Sequence, residues 1–254
     1  MNIVKIVGLA FLMVLLSSCK QADYATSNCD DIKSPKFNTL VFTKTSGYVH
    51  SSIGAGVKAL LQMGRENQFC VYATNQDKLA FTSLDELSKY DALIFLNTSG
   101  DVLDASQKAM MTQYIQNGGG FVGVHAAADT EYKWKWYMAL LGGEFKSHPA
   151  VSQATMKVVD KEHPATSFIV GDTWNKEDEW YDFEMKSDVN VLLTVDETTY
   201  KGGKMGTNHP ISWYHDYDGG RSFYTGLGHT KESYVHIPFL NHLLGGIRYA
   251  ANQP

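Results

Sequence analysis

From Phe37 onward, short apolar runs alternate with stretches in which apolar residues recur every three to four positions. FNTLVFTK (37–44) reads as a strand, and SSIGAGVKALLQMGREN (51–67) as a helix capped by Ser51 or Ser52. QFCVYAT (68–74) is a second strand, followed by a helical turn in TSLDELSKY. YDALIFLNT (90–98) is almost continuously apolar, as expected of a strand covered on both faces in a parallel sheet. A helix runs from Asp104 to Gln116 and stops at Asn117-Gly118-Gly119-Gly120. GFVGVHAA (120–127) is another buried strand. This β-α-β-α-β order predicts an α/β fold with a doubly wound parallel sheet.

The second half is less regular. VSQATMKVVD (151–160), NVLLTVDET (190–198), PISWYHDY (210–217) and RSFYTGLG (221–228) read as strands. Asp218-Gly219-Gly220 joins the last two as a hairpin turn. SYVHIPFLNHLLGGIRYAAN (233–252) reads as a closing helix interrupted near Pro238. Residues 37–252 thus make one domain, with its ligand site expected at the carboxyl ends of the strands.

The first residues follow a different logic. MNIVKIVGLAFLMVLLSSC has a short basic start, an apolar run from Ile6 to Leu16 and small residues before Cys19. The run is too short to span a bilayer and has the length of a signal-peptide core. Leu16-Ser17-Ser18-Cys19 resembles a bacterial lipobox, so residues 1–18 read as a signal peptide and Cys19 as a lipidation site. Residues 19–36 then form a polar tether, and the protein is expected in the bacterial cell envelope, lipid-anchored on the periplasmic side or at the surface. Of the other two cysteines, Cys70 lies in an apolar run and Cys29 in the tether. An exported compartment permits their pairing. The favoured reading is a buried, inert Cys70 and an unpaired Cys29.

Composition narrows the classes. The formal net charge is −5, and Lys and Arg form no cluster, which argues against a nucleic-acid surface. Nine histidines and a high aromatic content (12%) offer more chemistry than the 19% of charged residues. His125 stands where a buried strand turns, the position that holds a nucleophile in several hydrolytic α/β folds. An imidazole there acts as a base or a metal ligand, not as an acyl-accepting nucleophile. Strand-end placement also brings His50 to the same rim, and neutral imidazoles gathered there could take zinc, iron or nickel.

GGGFVGVHAAADTEYKWKWYMALLGGEFKSHP (118–149) resembles the signature of the ThuA-like, trehalose-utilisation family. TKTSGYVHSSI (43–53), DALIFLNTSGDVLD (91–104), DTWNKEDEWYDFE (172–184) and HPISWYHDYDGGRSFYTGLGHT (209–230) carry the resemblance in the same order. It implies a flavodoxin-like three-layer sandwich with a mostly parallel central sheet, as in class I glutamine amidotransferases. His125 stands where those enzymes have a cysteine, so glutaminase chemistry is not expected. The resemblance also implies carbohydrate metabolism, alongside a partner sugar oxidoreductase that makes 3-keto sugars.

The family pattern adds His229 to the rim, giving His50, His125 and His229 as the metal set, and it centres one block on Glu179. His125, Glu179 and His229 are therefore the candidate catalytic residues. Asp129, Trp134, Trp180, Tyr181, His148 and His215 are the candidate sugar contacts, because aromatic faces beside polar groups hold sugar rings. Trp136 and Trp213 are assigned to the core, Glu177 and Asp178 to a solvated loop, and His163, His236 and His242 to structural or surface roles. The expected function is processing of a disaccharide, glycoside or 3-keto-sugar derivative. The alternative is a lipid-anchored carbohydrate-binding module without turnover.

Overall fold

The computed structural model describes residues 22–253; the segment read as a signal peptide and Cys19, read as a lipidation site, lie outside them. Every strand read between Phe37 and Val124 is present: β2 (Asn38–Phe42), β3 (Cys70–Thr74), β4 (Ala92–Leu96) and β5 (Gly120–Val124). They pair in parallel in the order β3-β2-β4-β5. β4 and β5 are buried at every position, as their uninterrupted apolar runs require. Helices α1 (Ile53–Asn67) and α4 (Ala105–Gln116), with the short α2 (Asp77–Ala80) and α3 (Leu84–Leu87), make the crossovers. At the start of α4 Asp104 accepts from the Gln107 backbone while the Gln107 side chain accepts from the Asp104 N–H, a complete capping box.

Beyond β5 the topology changes. β12 (Gly220–Thr225) adds to β5 in parallel, and β11 (Pro210–Tyr217), β10 (Asn190–Val195), β7 (Ser152–Val158) and β8 (Thr173–Asp178) follow, each antiparallel to the one before. The result is one mixed ten-stranded sheet in an α/β fold, parallel from β3 to β12 and antiparallel beyond β12 and at the short edge strand that precedes β2, and not the mostly parallel sheet expected. The difference arises because hairpins, not helical crossovers, connect the strands of the second half. A separate two-stranded ribbon joins β6 (Gly143–Ser147) to β9 (Asp182–Met185), after the short α5 (Lys135–Leu141). The stretch read as a closing helix is broken next to Pro238, as expected: a 3-10 turn (Glu232–Val235) ends at the extended His236, and α6 (Ile237–Ala250) then begins with Pro238 in its first turn, where no hydrogen bond is lost.

The tether reading fails for residues 22–36. β1 (Ala25–Ser27) pairs antiparallel with β3 at the sheet edge. Asn28, fully enclosed, accepts from the Val71 N–H and donates to Leu61 O. Cys29 is disulfide-bonded to Cys70 and is not an unpaired thiol. The sequence pattern missed this because three residues of edge strand carry no hydrophobic periodicity.

Closing a loop of 41 residues removes unfolded-state freedom worth about 4 kcal/mol in the chain-entropy treatment. The Cys29→Ser/Cys70→Ser protein is expected to melt on the order of 10 °C lower in calorimetry. A shift near zero would show that the crosslink adds nothing to an edge already held by β1 and Asn28.

Candidate functional site

Four loops at the carboxyl end of the parallel strands converge. His50 lies in the loop between β2 and α1 and is buried. Asn97, just past β4, donates to Ser52 Oγ and to Gly228 O, and so ties the start of α1 to the loop after β12. His125 follows β5 directly with φ +49°, a left-handed backbone that few residues other than glycine adopt. Two bonds hold it there: its carbonyl accepts from Tyr224 Oη (2.8 Å), and its Nδ1–H donates to Gly226 O (2.7 Å). His229 comes after Gly228, whose φ is +110° and where a Cβ would lie 2.8 Å from Tyr234 Oη. Glu179 arrives from the far edge, one residue past the end of β8.

The side chains meet tightly. His125 Nε2 is 3.1 Å from His229 Nδ1. Glu179 Oε2 is 3.0 Å from His229 Nδ1 and 3.4 Å from His125 Nε2. His50 packs edge-on against both rings, with centroids 4.9 Å from His125 and 5.1 Å from His229. One ligand-type atom from each of His50, His125, Glu179 and His229 lies within 4.8 Å of all the others. Burial alone would raise the Glu179 carboxyl, yet the facing imidazoles of His125 and His229 outweigh this and bring it down to about 2. The same carboxylate raises His229 above the ordinary histidine value. Burial, followed by the neighbouring rings of His125 and His229, pushes His50 down to about 2 and keeps it neutral.

Two further groups stand at the mouth. His148, exposed, places Nδ1 2.9 Å from Glu179 Oε1, the oxygen turned away from the other histidines. Asp129 accepts a 2.5 Å hydrogen bond from Tyr132, and burial raises its carboxyl despite that bond. Tyr181 is nearly buried and lies against the His125 ring at 4.2 Å, so it is a wall of the centre more than a sugar platform.

Three of the expected sugar contacts do not belong to this site. Trp180 is fully buried, its Nε1–H donating to Ser152 O, which makes it core. His215 is buried with Nε2 at Leu140 O; it sits opposite Ser222, near the start of β12, at the other end of the sheet. Trp134 stacks on Trp136 and Tyr137 below the Lys108 ammonium, with none of the four central residues among its ring neighbours. Trp213 is core as expected, whereas Trp136 is only half-buried and donates to Asp218.

The largest correction concerns Asp178, read as part of a solvated loop. It is wholly buried, at 0% exposure. Oδ1 accepts the N–H groups of Glu179 and His229, and Oδ2 accepts from Gly228 N–H, Lys176 Nζ (2.8 Å) and Ser233 Oγ. Burial would raise the carboxyl, but the Lys176 ammonium outweighs it and holds the group below the ordinary value. The alternation in TWNKED, with Trp174, Lys176 and Asp178 on one face, was the signal that β8 buries these residues. A second triad, Asp182, Glu197 and His209, has its donor atoms within the same 4.8 Å limit. There His209 Nε2–H donates to Tyr181 O and its Nδ1 faces Glu197, while Asp182 accepts from Lys204 N–H and Ser147 Oγ. Those bonds staple a loop.

A cluster of histidines with one carboxylate thus gathers at the strand ends of a mixed α/β sheet, the position where open α/β sheets hold ligands. The chain belongs to the ThuA family, described as trehalose utilisation, whose model matches residues 38–250, and that membership implies carbohydrate metabolism. No curated relative matches the chain. Among solved structures it is similar to a ThuA-like protein of Bacteroides uniformis, with 23% identity, TM-score 0.72, and 86% of this chain and 92% of that one covered. A ThuA-like protein of Parabacteroides merdae gives 21%, 0.69, 87% and 91%. A β-galactosidase of Bacillus circulans shares the fold at 12% identity and TM-score 0.56, with 82% of this chain covered but only 30% of that one.

Removing one partner of the buried Lys176–Asp178 pair leaves an uncompensated charge. Asp178→Ala is expected to cost about 3–5 kcal/mol in urea unfolding. Adding Lys176→Met should return about 0.5–3 kcal/mol as coupling, and strict additivity would show that the pair is not the linchpin described.

Proposed function

We propose that this protein is an enzyme of carbohydrate metabolism that processes a disaccharide, glycoside or 3-keto-sugar derivative at the rim formed by His50, His125, Glu179 and His229. The observation that carries this reading is the meeting of these four side chains, delivered by four separate loops, within 4.8 Å. A 3-keto group acidifies the proton on C2. Its removal sends the C2–H electron pair toward the C3 oxygen and gives an enediolate. Reprotonation then isomerises the sugar; alternatively C3=O re-forms, a C1=C2 bond forms, and the C1 oxygen substituent leaves with its bonding pair and takes up a proton. Such chemistry needs a proton carrier and a positive partner for the oxyanion.

Exposure assigns the roles. His125 is fully buried and the His50 ring is nearly so, whereas His148 is open to solvent and backed by Glu179 Oε1. His148 with Glu179 carries the proton, and the positive partner for the oxyanion is His229 or a metal ion that His50, His125 and His229 would hold beside Glu179. If the fold is the flavodoxin-like sandwich of the amidotransferases, His125 occupies their cysteine position and no glutaminase activity follows. We also read the protein as exported and lipid-anchored at Cys19 in the cell envelope. The Cys29–Cys70 disulfide supports this, since such bonds persist in oxidising compartments. A sugar oxidoreductase is the class of partner that would supply a keto substrate.

The test is turnover of a panel of 3-keto-glycosides, followed by mass spectrometry of the products. His148→Ala and Glu179→Gln should each lower kcat/KM by about 10²-fold or more. Unchanged turnover in both would reject the site, and saturable sugar binding without product would make the protein a binding module instead.

A further inference from the structure

We propose that His50, His125, His229 and Glu179 bind one divalent transition-metal ion, with His125 Nε2, His229 Nδ1 and Glu179 Oε2 as three of its ligand atoms. The argument begins with protons. The Gly226 carbonyl can only accept, so the hydrogen of neutral His125 sits on Nδ1 and Nε2 presents a lone pair to the centre. Glu179 Oε2 likewise presents only lone pairs. Of the three mutually facing atoms, only His229 Nδ1 can then carry a hydrogen, and that hydrogen serves one neighbour. The 3.4 Å contact between His125 Nε2 and Glu179 Oε2 is left as two acceptors facing each other. A cation between them resolves this.

The spacing fits. Ligand atoms at about 2.0–2.1 Å from zinc in tetrahedral geometry lie about 3.3 Å apart. The three separations here are 3.0, 3.1 and 3.4 Å. His50 supplies the fourth ligand-type atom, within 4.8 Å of the other three; its Nδ1 is buried and has no hydrogen-bond partner among the described residues, so no hydrogen bond from that atom fixes the ring against turning to a metal. Outer partners of the kind that orient metal ligands are also in place. Gly226 O holds the His125 ring, and Asp178 accepts the backbone N–H of both Glu179 and His229. His148 meets the other oxygen of Glu179 and lies outside the triangle. Imidazole with one carboxylate suits zinc, iron or nickel.

The experiment is metal analysis of the full-length protein, purified without chelator and then loaded separately with zinc, iron(II) and nickel before exhaustive dialysis. About one equivalent of a single metal is expected, together with a rise in melting temperature that follows metal concentration. Glu179→Gln and His229→Ala should each lower affinity at least tenfold, and Asp178→Asn should lower it by about 10–100-fold through the outer partners. His148→Ala should keep the full equivalent. Less than a tenth of an equivalent of each of the three metals in folded wild-type protein would overturn the proposal. Full retention in the His229→Ala protein, with circular dichroism matching wild type, would do so as well. Metal content is read independently of turnover, so a protein that binds the ion yet leaves every sugar unchanged would sink only the carbohydrate reading.

Discussion

The centre depends on one buried carboxylate. Asp178 ends the outermost strand of a ten-stranded sheet, yet it takes hydrogen bonds from Gly228 and His229, in the loop after β12, which is four strands away in the sheet order. Those bonds require the antiparallel half to curl back over the rim of the parallel half, in keeping with the twist that adjacent strands accumulate. A carboxylate with no exposure is tolerable only because five donors surround it, one of them the Lys176 ammonium. The same atoms that hold the fold closed therefore set where Glu179 and His229 stand.

The parallel half contributes in another way. β4 and β5 are buried at every residue, and a left-handed residue stands at the end of each. Asn97 (φ +51°) and His125 (φ +49°) follow them directly, and each is buried and hydrogen-bonded to the loop that carries His229. A left-handed residue costs backbone energy on its own and persists where the surroundings over-determine it. Turning sharply at His125 directs its Nε2 toward His229 and Glu179.

How much of this the sequence disclosed follows from the range of each signal. Strands buried on both faces announce themselves as apolar runs, so β2 to β5 and the crossovers were legible, as were β7, β10, β11 and β12. His50, His125 and His229 could be placed on one rim from parallel topology and family resemblance. The misses share a cause: β1, β6, β8 and β9 are short or polar in composition, and their identity comes from long-range partners. β8 is instructive, because KED looks like a solvated turn until the alternation Trp174, Lys176, Asp178 is weighed against the possibility of a buried ion pair. Trp180 and His215 were assigned by residue type and proximity to acidic or hydroxyl groups. Only the register, which sets Trp180 into the core and His215 at the wrong end of the sheet, decides such cases.

The gradient of exposure across the centre gives it a direction. His125 and His50 form the floor, Glu179 and His229 the middle, and His148 the mouth, where Tyr48 (65% exposed) stands edge-on to His50. A ligand entering from this side would meet an exposed imidazole and an aromatic edge before the inner donors. Asp129 and Tyr132 add an acceptor and a hydroxyl held together at 2.5 Å. With the proposed cation bound, that ion and the exposed His148 would stand on either side of a single carboxylate with one oxygen for each, a disposition that would suit a substrate changing charge on one atom while exchanging a proton on the next. An α-hydroxyketone has that pattern, with its C–H beside the carbonyl, and so does a 3-keto sugar at C2 and C3. The asymmetry of Glu179, more than the number of histidines, makes this rim suitable for chemistry as well as for binding.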